Sequence, residues 1–136
     1  MNDAGHRQVD HTADLALELW GPDHVALLEQ GALAIVELVT GGETLHANAE
    51  RVVDLEVVDE ADRLVRWLNE VLWLAQVDGF VAVSATFELD DPRRLRAHVR
   101  GDTSTACVAE IKSVTYHDLA IEVDGPRLRA RVVLDV

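Results

Sequence analysis

Cysteine is nearly absent: Cys107 is the chain's one thiol, which excludes an internal disulfide framework and any cysteine-based metal site. It reads as a small, half-buried thiol near a loop and not as a nucleophile. Long apolar runs are also missing, so no segment reaches the roughly 20 residues that a membrane-spanning helix needs. Met1-Asn2-Asp3-Ala4-Gly5-His6 has neither the basic flank nor the apolar stretch of a signal peptide, so the expected location is the cytoplasm. Basic residues are few, with Lys and Arg totalling 12 against 25 Asp and Glu, a formal net charge of -13. Clamping nucleic acid over a broad surface needs clustered cations, so any link to RNA is expected to run through a protein partner. Common enzyme signatures are lacking as well. No Gly-rich phosphate loop precedes a helix, no Ser sits in a nucleophile elbow, and no His pair has zinc-helix spacing.

What is present suffices for a core. Hydrophobic residues make up 49% of 136, enough for one folded domain spanning residues 1–136. From Asp14 to Trp20 the residues alternate, with Leu15, Leu17 and Leu19 on one face, as in a half-buried strand. Gly21-Pro22-Asp23 supplies a turn and a helix cap. Val25, Leu28, Ala32, Ile35, Val36 and Val39 then recur at helical spacing until Gly41-Gly42. Arg51 to Val58 is a second alternating strand. After Asp59 and Asp62, an apolar stripe of Leu64, Trp67, Leu68, Val71, Leu72 and Ala75 predicts a second amphipathic helix. Trp67 lies on that stripe; Trp73 reads as core at its flank, with a partly exposed contact residue as the alternative. Five strands follow: Phe80 to Leu89, Arg94 to Arg100, Glu110 to Tyr116, Leu119 to Val123 and Leu128 to Leu134. The turns Asp90-Asp91-Pro92 and Asp124-Gly125-Pro126 join neighbours into hairpins. The expected class is α+β, with mainly antiparallel sheet layers and two packed helices.

Arg94, Arg96, His98 and Arg100, like Arg127, Arg129 and Arg131, alternate with apolar residues and so project from outer strand faces. Two readings stand: a solvated face balanced by neighbouring acids, or a docking surface for an anionic partner patch. The chain's last residues offer a different chemistry. Asp135 stands beside the main-chain carboxylate of Val136, and Asp14 lies far upstream in His11-Thr12-Ala13-Asp14. If the fold joins them, each carboxylate pair at about 4 Å repels by about 4 kcal/mol at an effective dielectric near 20, so a cation or protonation is required. Carboxylate oxygens suit a hard ion such as calcium or magnesium; the alternative is a frayed, solvated terminus. The segment Glu110-Ile111-Lys112-Ser113-Val114-Thr115-Tyr116-His117-Asp118 mixes acid, amine, phenol and imidazole. Lys112 reads as an electrostatic partner and His117 as a titrating group, or each as a plain surface residue.

At these segments the chain resembles the archease family. The matching stretches run in order along nearly the whole length: His11-Thr12-Ala13-Asp14, Leu68-Asn69-Glu70-Val71-Leu72-Trp73, Glu110 through His117, and Val133-Leu134-Asp135-Val136. The resemblance implies an accessory protein, not an enzyme, that serves the GTP-dependent RNA ligase joining 2′,3′-cyclic or 3′-phosphate ends to 5′-hydroxyl ends in tRNA splicing and RNA repair. It implies faster formation of the ligase's guanylyl-histidine intermediate and restored multiple turnover. It also implies a divalent metal at Asp14, Asp135 and Val136, calcium with magnesium or manganese as alternatives, and a part for Lys112 in activation. His11 and His117 match motif positions as accessory residues. A chaperone or scaffold for tRNA-processing or tRNA-modifying enzymes is the alternative attached to the same family. One departure is the segment 101–109, which is short and lacks the histidine usual in the family.

Overall fold

Two aspartates start the two helices. In the computed structural model, which describes residues 3–11 and 14–136 and only the backbone of Asp10, His11 and Asp14, α1 spans His24–Thr40 and α2 spans Glu60–Gln76. The Asp23 carboxylate accepts the Ala26 N–H at 2.9 Å, and that of Asp59 accepts the Asp62 N–H at 2.8 Å, satisfying donors that a helix start leaves orphaned. Gly41 ends α1 in the left-handed region at φ 71°, its N–H donating to Glu37, a conformation that glycine adopts without steric cost.

The strands are β1 (Gly5–His11), β2 (Asp14–Gly21), β3 (Ala49–Glu56), β4 (Val81–Glu88), β5 (Arg94–Asp102), β6 (Ser113–Asp124) and β7 (Arg127–Asp135). They form two antiparallel sheets, in the orders β1-β2-β7-β6 and β3-β5-β4. The class is therefore α+β, as expected. Helix α1 touches β1, β2 and β7 of the first sheet and β4 of the second, while α2 touches β6 of the first and all three strands of the second. The helical pair thus lies between the sheets, which is why α1 buries residues around much of its circumference. At the centre, Trp67 is fully buried, donates its indole N–H to the Leu28 carbonyl at 2.9 Å, and meets Phe87 edge to face at 5.0 Å. Gly101 on β5 is demanded by packing: a Cβ there would fall 2.4 Å from the Phe80 ring.

Three differences from the sequence reading have physical causes. Strand β1 was not foreseen, because Gly5-His6-Arg7-Gln8-Val9-Asp10-His11 has no apolar alternation; its seven-rung pairing with β2 makes the strand. The two strands expected over 110–116 and 119–123 are one, β6, starting at Ser113. Its register against β7 slips between Thr115 and Ala120, where Asp118 takes φ 54°, so the sequence break marks an irregularity and not a chain reversal. Trp73 is not core but 50% exposed, because six residues along α2 set it about 120° around the helix from Trp67, off the apolar stripe.

Candidate functional site

Strand register brings the ends of distant segments together. His11 pairs with Asp14, and Leu15 pairs with Leu134, which makes Asp14 and Asp135 the next rung of the β2/β7 ladder. Ser113 pairs with Asp135, and the Lys112 N–H donates to the Asp135 carbonyl at 2.8 Å. The backbones of His11, Asp14, Asp135 and Lys112 therefore line up across four strands at one end of the first sheet. Rung neighbours in an antiparallel pair stand about 4.5–5.5 Å apart, close enough for two carboxylates to share one ion. Asp135, Val136 and Lys112 are exposed; the side chains of Asp14 and His11, and all of Thr12 and Ala13, lie outside the described residues. Among the described residues no group of three His, Cys, Asp or Glu is arranged to hold a metal. The donor set expected at this end, two aspartates and a main-chain carboxylate, is all hard oxygen and fits a divalent cation of the calcium or magnesium type.

The Lys112 segment is gripped from its other side by α2. Asn69 donates to the Val114 carbonyl at 2.9 Å and accepts the Val114 N–H at 2.8 Å; Gln76 does the same for Ile111, both at 2.8 Å. These amides act as a missing strand, satisfying backbone groups that an edge would leave open. Farther along, the Tyr116 hydroxyl donates to Asp62. That bond to a carboxylate raises the Tyr116 pKa; for Asp62, burial pushes upward, but hydrogen bonds from Tyr116 and the Val58 N–H outweigh it and the pKa is lowered. Asp62, Asn69 and Gln76 are spaced by seven, two helical turns, and so form one polar line down α2. Apolar periodicity does not reveal that polar spacing, which is legible only as a seven-residue recurrence; the other signal in the sequence is that Lys112 is the chain's single lysine. His117 is not brought to this end. It lies five residues beyond Lys112, about 16 Å along a strand at about 3.3 Å per residue, with its ring 3.3 Å from the Asp118 carboxylate.

The sequence model of the archease protein family matches residues 6–136. This chain belongs to the archease family. The protein archease of Archaeoglobus fulgidus is 30% identical over 135 residues, covering 96% of this chain and 98% of that one. The solution structure of protein 1598 from Methanobacterium thermoautotrophicum superposes with a TM-score of 0.75 at 27% identity, over 97% and 99% of the two chains. A crystal structure from Thermotoga maritima, described as that of "an archease, possible chaperone", gives a TM-score of 0.69 at 25% identity and 96% coverage of each.

In this archease the short segment after β5 is organised by one carboxylate. Asp102 is 1% exposed and accepts the His46 N–H at 2.8 Å, the Ser104 N–H and hydroxyl at 2.7 Å each, and the Thr105 hydroxyl at 3.0 Å. These bonds, that from His46 foremost, hold its pKa well below the usual carboxylate range. Cys107 is half-buried as expected, and burial pushes its thiol pKa up, the opposite of what activates a nucleophile. The basic stripes are partly paired: Arg94 meets Asp54 at 2.8 Å, Arg96 meets Glu88 at 3.2 Å, Arg127 meets Asp3 at 2.7 Å and Arg129 meets Asp124 at 3.5 Å, whereas no ion pair among the described residues involves Arg100 or Arg131. No helix among the described residues is long and apolar enough to cross a membrane.

Proposed function

We propose that this archease is an accessory activator of a GTP-dependent RNA ligase that joins 3′-phosphate or 2′,3′-cyclic phosphate ends to 5′-hydroxyl ends. In this reading it works in the cytoplasm, promotes guanylylation of the ligase, and reaches RNA only through that partner. The supporting observation is the alignment of the Asp14, Asp135 and Lys112 backbones across β2, β7 and the residue before β6. Asp14, Asp135 and the Val136 carboxylate would hold the divalent ion, which when bound supplies positive charge for nucleotide phosphates. Lys112 adds a compact cation on a flexible stem at the same end of the sheet. Its N–H donates to Asp135, and Gln76 and Asn69 hold the backbones of Ile111 and Val114 around it, so the side chain starts from a defined base. His11 pairs with Asp14 at the same end and is an accessory candidate; His117, about 16 Å along the strand, would act on the partner elsewhere or not at all.

The test is guanylylation of the cognate ligase by GTP at limiting calcium, magnesium or manganese, with and without the archease. Wild type should stimulate, and Asp135→Ala should lose at least about 10- to 100-fold of that stimulation, the scale seen when only a supporting partner of a metal ligand is removed. Full stimulation by a folded Asp135→Ala protein would end this reading. The chaperone reading is favoured by a different observation, the exposure of Trp73 (50%) and Val77 (68%) one turn apart on α2. It predicts that an Asp14→Ala/Asp135→Ala double variant still holds a client soluble while Trp73→Ala does not.

A further inference from the structure

The edges of the two sheets are treated differently. On the first sheet, the edge at the start of β6 is closed by the side-chain amides of Asn69 and Gln76. On the second, β4 pairs with β5 alone, and among the described residues no other backbone hydrogen bond engages Val81 through Glu88. A strand edge with open N–H and C=O groups is a template for another strand.

A trough runs along this edge. A cavity of about 130 Å³ between α1 and β4 adjoins a wider hollow of about 540 Å³, the two sharing Leu33, Ala82 and Val83. Four consecutive residues, Ala82 to Ala85, line the smaller one. A hollow on a sheet's face would touch every second residue, so this one lies at the edge, where the β4/β5 register also slips between Ala82 and Ser84. Its floor is apolar, Trp67 and Phe87, and Leu33 of α1 stands 43% exposed above it. Its rim is acidic: Glu29, Glu37 and Glu43 line the two hollows, and no Lys or Arg does. Glu37 is met by His6 at 3.1 Å, whereas no ion pair among the described residues involves Glu29 or Glu43.

We infer that the β4 edge is a strand-addition site for an extended protein segment that presents, on one face, apolar residues flanked by Lys or Arg. Backbone pairing with β4 supplies affinity, and on the side turned to α1 the apolar floor takes the segment's central side chains while the rim glutamates, Glu29 and Glu37 one helical turn either side of Leu33, take cations at its ends. From Ala82 to Phe87 the edge is about 17 Å long at about 3.3 Å per residue, room for five or six residues. A second copy of this acidic chain would bring like charge to the rim. The inference is independent of the ligase reading and concerns the opposite sheet.

The probe is the peptide Lys-Thr-Val-Thr-Val-Thr-Lys, whose lysines and valines share one face of a strand, followed by amide chemical shifts and hydrogen exchange on the full chain. Binding should shift and protect amides between Val81 and Glu88, and Glu29→Lys/Glu43→Lys, both surface changes, should weaken it at least tenfold. Peptides N-methylated at alternate residues, and the same peptide with Glu in place of both Lys, should not bind. Equal binding by the N-methylated peptide would mean charge attraction without strand pairing and would overturn the proposal, as would shifts confined to other surfaces or undiminished binding by the double variant. Concentration-dependent protection of β4 without peptide would assign the edge to self-association and overturn it too.

Discussion

Asp102 shows how much one side chain can organise. Its carboxylate collects donors from His46, Ser104 and Thr105, so its folded pKa is depressed relative to about 3.9 in an unfolded chain. The stabilisation is in place above pH 4 and is lost as pH falls from about 4 through the folded pKa. Asp102→Asn should therefore flatten the acid limb of stability, with a smaller change in urea midpoint between pH 7 and pH 3 than wild type shows. The two tryptophans of α2 make a second contrast. Trp67→Ala removes a fully buried ring and its hydrogen bond to Leu28, and should cost about 3–5 kcal/mol. Trp73→Ala should stay within about 0.5 kcal/mol, as exposed positions do; urea unfolding measures both. Apolar periodicity finds Trp67 from sequence alone. It misplaces Trp73, because six residues along a helix separate faces without saying what each face meets.

Helix α2 has three duties at once. Its apolar stripe fills the core, Arg63 reaches the carbonyls of Asp91 and Arg94 in the β4–β5 turn at 2.8 and 3.0 Å, and its polar line of Asp62, Asn69 and Gln76 grips the start of β6. Asn69→Leu keeps shape and helix propensity but strands the Val114 N–H and C=O, and should cost about 1–3 kcal/mol. Exchange of the Val114 amide should accelerate more than exchange within β7, which keeps its ladder to β2. If Lys112 acts as proposed, the same variant should reduce ligase stimulation at temperatures where the protein remains folded, and Asn69→Gln should rescue it only in part. The helices and β2 to β5 are legible in the sequence because each has its own period and its own caps. Strand β1 is not, since a polar strand is defined by its neighbour.

For the molecule as a whole, charge and layering set the behaviour. A net charge of -13 repels itself in the folded state. Raising salt from about 0.01 M to about 1 M shortens the Debye length from about 30 Å to about 3 Å, and thermal unfolding should move upward, the screened repulsion outweighing the loss of weak surface pairs such as Arg96 with Glu88. A fall in the unfolding midpoint would show that those pairs dominate instead. The sequence by itself determined the α+β class, both helices with their aspartate caps, the apolar faces, the placing of the basic residues on outer strand faces and, through ordered motifs, the archease family. These are local or near-neighbour properties, written in spacing of two or 3.6 residues. Only the tertiary structure decided that the strands part into two sheets around the helices, and that α2 amides close one edge while β4 stays open. It also aligned the backbones of Asp14, Asp135 and Lys112 at one end. Those depend on pairing between segments up to about 120 residues apart, which no local period encodes, because a ladder's register is chosen by which apolar faces can be buried together.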